Sequence, residues 1–300
     1  MTKHMGMVRG IAVSVALSAL ACSRNDIEAI NLTTEGDQSV KVDLDGAISK
    51  YEQATKLDPS NHVIFYKLGL AYEKKEAWDK VASTMSAATR LQPKNATYWF
   101  KRGKALAAQA DKGGSWDEAK EPLEKCIAAD PNYDDCYYQL GEVMFRLDDE
   151  QRAIENWTKA IQHRPTELVY YAPLADLYIN LGYLDQATQV LKEGQAIAKP
   201  TDKGVFNLHT LMARVHQAKG DTGGVVAELE KAKASDPEGT HPEILFNLGS
   251  TYAIMNPPKK QEAQQMLKAF NARACKGTKA LVYKAQCEQS QALIQKLGGS

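Results

Sequence analysis

Apolar side chains recur along most of this chain at spacings of three and four, in paired runs separated by short polar turns, which is the pattern of amphipathic helices folded back on one another. One unit spans His62 to Asn95: Phe65, Leu68, Gly69 and Tyr72 share one helical face, Val81, Met85 and Ala88 share a second, and Pro93 closes the second run. The closing proline recurs. Pro59, Pro93, Pro131, Pro165, Pro200 and Pro237 follow one another at 34, 38, 34, 35 and 37 residues, and each ends an amphipathic run. A fixed period in this range predicts stacked supersecondary units rather than one globular core.

Later copies keep the skeleton in register. Trp99, Gly103, Ala119, Leu123 and Cys126 mark one copy, and Tyr137, Leu140, Gly141, Ala153, Trp157 and Ala160 the next. Tyr171, Leu174, Ala175, Tyr178, Ala187, Leu191 and Gly194 follow; the last two copies carry Ala213, Leu229 and Ala232, then Leu245, Leu248, Gly249, Tyr252, Ala263 and Phe270. Ahead of them Ala47, Tyr51 and Ala54 form a good second helix, with a degenerate first helix expected between Glu28 and Val42. This register resembles the tetratricopeptide repeat, with a period of ~34 residues. The resemblance implies an all-α, right-handed superhelical solenoid of helix-turn-helix repeats over residues 43–274, with first helices lining a concave side. Small residues such as Gly69, Gly103 and Gly249 would let paired helices approach closely. Asp45, Asp79, Asp117 and Asp185 are expected to cap second helices. Residues 275–300 read as a capping helix that solvates the end of the stack, and 22–42 as a polar tether with the degenerate helix.

Composition narrows the class. Lys plus Arg number 37 against 37 Asp plus Glu, so no basic field exists to attract nucleic acid. The apolar run from Ile11 to Cys22 is too short to cross ~30 Å of hydrocarbon. Behind Lys3, His4 and Arg9, and ending in Ala19-Leu20-Ala21-Cys22, it reads as a signal peptide over residues 1–21. Ending on cysteine resembles the lipobox of bacterial lipoproteins. That implies acylation of Cys22, with Ser23 resembling the pattern that sorts lipoproteins to the periplasmic face of the outer membrane. Ala19-Leu20-Ala21 also suits ordinary signal peptidase, which would leave a secreted or periplasmic protein.

The other four cysteines, Cys126, Cys136, Cys275 and Cys287, read in an exported chain as a disulfide framework with three possible connectivities. Because each repeat touches only its neighbours, the resemblance favours Cys126 with Cys136 and Cys275 with Cys287. The alternative for Cys126 is a small core residue where such repeats place Ala.

Catalytic patterns are missing. His209 and His216 are seven apart on one predicted helix but lack a third ligand, and Gly113-Gly114 and Gly223-Gly224 lack the strand or Lys of a phosphate loop. No metal, cofactor, small-molecule substrate or catalytic residue is expected. Candidate partner-binding positions are those that recur on first helices. Just after the first aromatic stand Tyr66, Phe100, Tyr138, Ala172, Thr210 and Phe246; one turn on come Leu70, Lys104, Glu142, Asp176, Arg214 and Ser250. Tyr66, Phe100 and Tyr138 would make an aromatic stripe for a protein partner, or else pack between repeats. Repeats that clamp chaperone carboxylate tails use Lys and Asn where Tyr66 and Leu70 stand, so that activity is not implied. Length, repeat number and N-terminus resemble the pilotin lipoproteins that guide secretins, and more loosely adaptors that gather peptidoglycan enzymes. The expectation is an envelope-anchored scaffold. A regulatory or substrate-binding subunit of an envelope enzyme complex is the alternative.

Overall fold

The computed structural model describes residues 24–202 and 204–298, and every regular element among them is helical. The signal peptide and Cys22 lie outside the described residues. Helix α1 (24–39) and α2 (Leu44–Leu57) lead into α3 (His62–Lys74), α4 (Trp78–Leu91), α5 (Ala96–Ala110), α6 (Asp117–Ala129), α7 (Asp134–Arg146) and α8 (Glu150–His163). A single 3-10 turn at Leu168–Tyr170 precedes α9 (Tyr171–Asn180), α10 (Leu184–Ile197), α11 (Val205–Ala218), α12 (Thr222–Ala234), α13 (Glu243–Ile254), α14 (Lys260–Ala274), α15 (Lys279–Val282) and α16 (Lys284–Gly298). The chain forms two compact units, with the division after Asn156. In the first, α3 packs on α4, α4 on α5, α5 on α6 and α6 on α7; in the second, α9 to α14 pack in the same successive way.

Spacing alone explains which faces are buried. Val81, Met85 and Ala88 on α4 and Ala119, Leu123 and Cys126 on α6 are all fully buried, as the three-and-four rhythm requires. Each large aliphatic side chain buried this way contributes roughly 1.5–3 kcal/mol. The small residues do what the resemblance implies. A Cβ on Gly103 would stand 2.6 Å from Leu123 Cγ, and one on Gly249 2.7 Å from Leu267 Cγ, so the second helix of each pair occupies the space a side chain would need. The recurring aromatic and proline are physically linked. Trp99 Nε1 donates to the Pro93 carbonyl at 2.8 Å, Tyr137 Oη to that of Pro131 at 3.0 Å and Tyr171 Oη to that of Pro165 at 2.7 Å. In each case a ring six residues beyond the proline satisfies the proline's own carbonyl, in the turn that follows the ended helix.

Two expectations need correction. Asp45, Asp79, Asp117 and Asp185 lie inside the first turns of α2, α4, α6 and α10 rather than at their caps. Leu44, Trp78 and Leu184 pack against the cores and draw the helix start past the position before the aspartate. The acids therefore act through charge at the positive helix end. Asp45 also pairs with Lys75, and Asp185 with Lys219 at 2.9 Å, which joins each second helix to the end of the next first helix. Hydrogen-bonded capping is done by Asp43, Asn61, Asn95 and Asp221. The second correction is to the extent of the tether: the degenerate first helix expected between Glu28 and Val42 is present, and it already begins at residue 24. Residues 24–39 are helical, with Ala29 fully buried, Gly36 against the Tyr51 ring and Tyr51 Oη donating to Asp37 at 2.8 Å. Small residues at Ala29 and Gly36 let this polar segment pack as the first helix of the leading repeat.

Both cysteine pairs are joined. Cys126 and Cys136, with Cα atoms 6.2 Å apart, link α6 to α7; Cys275 and Cys287, 5.7 Å apart, link the end of α14 to α16. Cys126 is thus a fully buried core residue and a bonded one. Peptide mapping without reduction is expected to recover Cys126 with Cys136 and Cys275 with Cys287; free thiols at all four positions would refute both bonds. The end of the chain beyond Cys275 is two helices, α15 and α16, where one was expected.

Candidate functional site

In the second unit the first helices α11 and α13 present their recurring positions to a single cavity of about 800 Å³, walled on its third side by α16. This size falls within the roughly 300–1,000 Å³ of ligand sites. Thr210 and Arg214 on α11 and Phe246 and Ser250 on α13, the equivalent positions of two successive repeats, all line it. Arg214 and Phe246 were expected in a binding groove, and the fold brings them together.

Helix α16 is placed by contacts at both ends. Tyr283 and Cys287 cluster with Leu245, Phe246 and Phe270, while Leu297 packs on the cluster that holds Leu248, Tyr252 and Ala263, and Gly298 lies beside Gln264 at the start of α14. It therefore runs alongside α13 in the same direction and turns Gln289, Ala292, Leu293 and Lys296 to the cavity. Its start is fastened by the Cys275–Cys287 bond and by Tyr283 Oη, which donates to Glu243 Oε2 at 3.0 Å. Burial first, then the Glu243 carboxylate, pushes the Tyr283 hydroxyl above its ordinary pKa. Beneath, the Phe246 ring lies 5.4 Å from Phe270, which meets Tyr283 edge-on at 5.9 Å. A line of aromatic rings thus carries the cavity floor into the anchor of its wall.

The electrostatics of the cavity are one-sided. Among the described residues its only charged lining side chains are Arg214 and Lys296. Arg214 pairs with Asp176 and reaches Asn180 Oδ1 at 3.0 Å, so the expected polar row is joined to itself across repeats. Lys296 makes no ion pair among the described residues. Ser250 Oγ is buried at the cavity without a hydrogen-bond partner among the described residues. A buried hydroxyl left unmatched costs about 1–3 kcal/mol, and Ser250 is part of the lining of this cavity.

In the first unit the expected stripe is half-buried. The Tyr66 ring lies 5.0 Å from Tyr98, whose hydroxyl is 2.8 Å from His62 Nδ1, and Phe100 lies 5.4 Å from Tyr133. Burial, reinforced by Glu142 and Asp135, pushes the Tyr138 hydroxyl up to about 12. Each ring therefore gives part of its surface to packing. Glu142 is itself half-buried. Lys104 is bound to Glu73 Oε1 at 2.8 Å, and Lys101 holds the other oxygen at 2.8 Å. Burial would raise the Glu73 carboxyl, but these two lysines outweigh it and hold it below the ordinary range.

Tyr98 and Tyr133 were not expected: Tyr98 stands one place before the first aromatic, where Ile64, Cys136, Tyr170, Leu208 and Ile244 are buried in other repeats, and Tyr133 stands at the N-cap of α7, where Asn61 and Asn95 cap α3 and α5. The contribution of α16 was missed because its face belongs to no repeat. His209 and His216 sit on α11 but serve different carboxylates, Glu228 at 2.7 Å and Asp221 at 2.8 Å. Among the described residues no three metal-ligating side chains come together.

Residues 43–76 match the model of the TPR repeat, and residues 135–166 that of the tetratricopeptide repeat. No curated protein matches the chain. Among solved structures, MamA is 28% identical over 54% of this chain and 93% of its own, with a TM-score of 0.50. The C-terminal part of a TPR repeat-containing protein from Cytophaga hutchinsonii is 17% identical over 83% of this chain and 98% of its own, at 0.65. Pseudomonas aeruginosa pilF is 16% identical over 71% of this chain and 94% of its own, at 0.56.

Proposed function

We propose that this solenoid of tetratricopeptide repeats is a protein-interaction scaffold anchored in the bacterial envelope through an acylated Cys22, which holds a partner in the groove of its second unit and helps assemble an envelope complex in the manner of pilotins or adaptors. The observation that carries the reading is the convergence of Thr210, Arg214, Phe246 and Ser250, recurring first-helix positions, on one cavity with an unmatched hydroxyl. Scaffold repeats use such positions to hold other chains, and among the described residues nothing in the cavity supplies a nucleophile paired with a base. The basic start, apolar run and Cys22 support the anchor, because a cysteine carrying several acyl chains gains ~0.8 kcal/mol for each buried methylene.

Purification from intact envelopes tests both parts. Wild-type protein is expected in the membrane fraction with a mass increase from lipid, and Cys22→Ser is expected to release it or leave an uncleaved precursor. A secretin recovered with the wild type, and lost when the groove is filled by Ala292→Trp, supports the pilotin branch. A peptidoglycan enzyme recovered on the same terms supports the adaptor branch, or a regulatory subunit of that enzyme. A wholly soluble wild type without lipid would overturn the anchor, and partner recovery indifferent to Ala292→Trp would overturn the groove.

A further inference from the structure

The groove carries information about the chemistry of what enters it. Its floor and far wall are apolar, through Phe246, Ile254 and Leu293, so the occupant buries apolar side chains. Phe246 to Ile254 on α13 and Gln289 to Lys296 on α16 each span about 10–12 Å at 1.5 Å per residue. That length suits a short stretch of polypeptide. At mid-length Ser250 Oγ has a proton to donate and no acceptor among the described residues. The two charged groups, Arg214 on α11 and Lys296 on α16, are both cationic and stand on opposite walls, and no carboxylate among the described residues lines the cavity. Asp176 sits outside the lining and neutralises only Arg214, through an ion pair that is half exposed. A pair so exposed is weak and is shared readily with a second carboxylate.

We infer that this groove recognises an internal, acidic and apolar segment of a partner protein, in which Asp or Glu side chains on either side of a bulky apolar residue meet Lys296 and Arg214 while a backbone carbonyl or carboxylate accepts from Ser250. Cations on opposite walls call for negative charges spread along the segment, where a free C-terminus would supply one. Lys296 is the discriminating group and comes from the helix outside the repeats. The wall that carries it is held by Cys287 and Tyr283, so recognition depends on a part of the chain that repeat stacking does not build. This inference rests on the groove being the partner site, and it is tested separately from that reading.

The probes are short labelled peptides with Leu flanked by Glu, by Gln or by Lys, each amidated at its C-terminus, and a Gln peptide with a free C-terminus, added to the purified full chain. The Glu peptide is expected to bind at least about tenfold tighter than the Gln peptide, and its advantage to shrink as salt screens the charges. Lys296→Glu should transfer the preference to the Lys peptide. Ser250→Ala should weaken the Glu peptide about fivefold while leaving the melting temperature equal or higher, because it removes an unmatched hydroxyl. A structural serine would instead lower melting and leave binding alone, which would overturn its assigned role. Equal binding of the Glu and Gln peptides, or preference for the free C-terminus, would overturn the acidic-segment assignment. If the peptides fail while Ala292→Trp still abolishes partner recovery from envelopes, the ligand chemistry is wrong and the groove reading stands; if both fail, the groove itself is wrong.

Discussion

Phe270→Ala is expected to destabilise the second unit by about 3–5 kcal/mol, the usual cost of emptying a fully buried aromatic site. The Phe270 side chain is completely buried. It touches Phe246 on the groove floor and Tyr283 at the start of α16, so the cavity it leaves lies between the floor and the anchor of the wall. Thermal melting should fall by roughly 10 °C on the scaling for a unit of this size. Hydrogen exchange would locate the effect: amides of α13, α14 and α16 should lose protection first, while α3 to α6 in the first unit keep theirs, because repeat units lose stability locally. A melting curve within a degree or two of wild type would show that α14 and α16 close over the gap and that the aromatic line has no structural role.

Acid should act on the same unit through a different group. Glu228 on α12 is buried, a position where a carboxylate is expensive. Burial alone would raise its carboxyl, but hydrogen bonds from His209 at 2.7 Å and Lys231 at 2.7 Å, with their charge, more than reverse this and hold it at about 2. Gln195 Nε2 adds a donor at 3.1 Å, so α10, α11 and α12 are joined through one carboxylate. Since the folded value lies below the unfolded one of 4.5, the stabilisation is fully present above pH 4.5 and is lost as pH falls towards 2. The size of the shift corresponds to about 3 kcal/mol. Glu228→Gln, which keeps the shape and removes the charge, should therefore be less stable than wild type at neutral pH by an amount of that order. The difference should narrow below pH 4.5 and vanish near pH 2. Denaturant titrations of both proteins across that range would check it, and a gap independent of pH would show that the carboxylate acts through its shape alone.

Much of the fold is legible in the sequence, because helical hairpins are local objects. The period of the prolines, the three-and-four rhythm of Val81, Met85 and Ala88, and the small residues at Gly103 and Gly249 each state a requirement met within one repeat or against its nearest neighbour. The aspartate caps were misplaced by two positions at Asp45, Asp79 and Asp185 and by one at Asp117, since whether Leu44 or Trp78 joins the helix depends on its gain from the core beneath it. The helical state of residues 24–39 was only partly legible, because polar residues at Asn31, Thr33 and Thr34 hide the small-residue face that packs on Tyr51.

The binding surface was legible as a set of positions and not as a place. Recurrence at Thr210, Arg214, Phe246 and Ser250 identified which side chains face the same way, since equal places in successive repeats share an environment. Whether such a row is open, paired or covered depends on contacts between side chains some thirty residues apart, which no local spacing records. So Lys104 goes to Glu73 and Arg214 to Asp176, while Tyr66 leans on Tyr98. The sequence alone determined the repeat, its helices and the residues that face one another within it, because period and polarity act over one or two helical turns. Tertiary structure alone decided that α16 returns along α13 to wall a cavity, and left Ser250 inside it without a partner, because the docking of a helix outside the repeat follows from the shape and chemistry of the surface it meets.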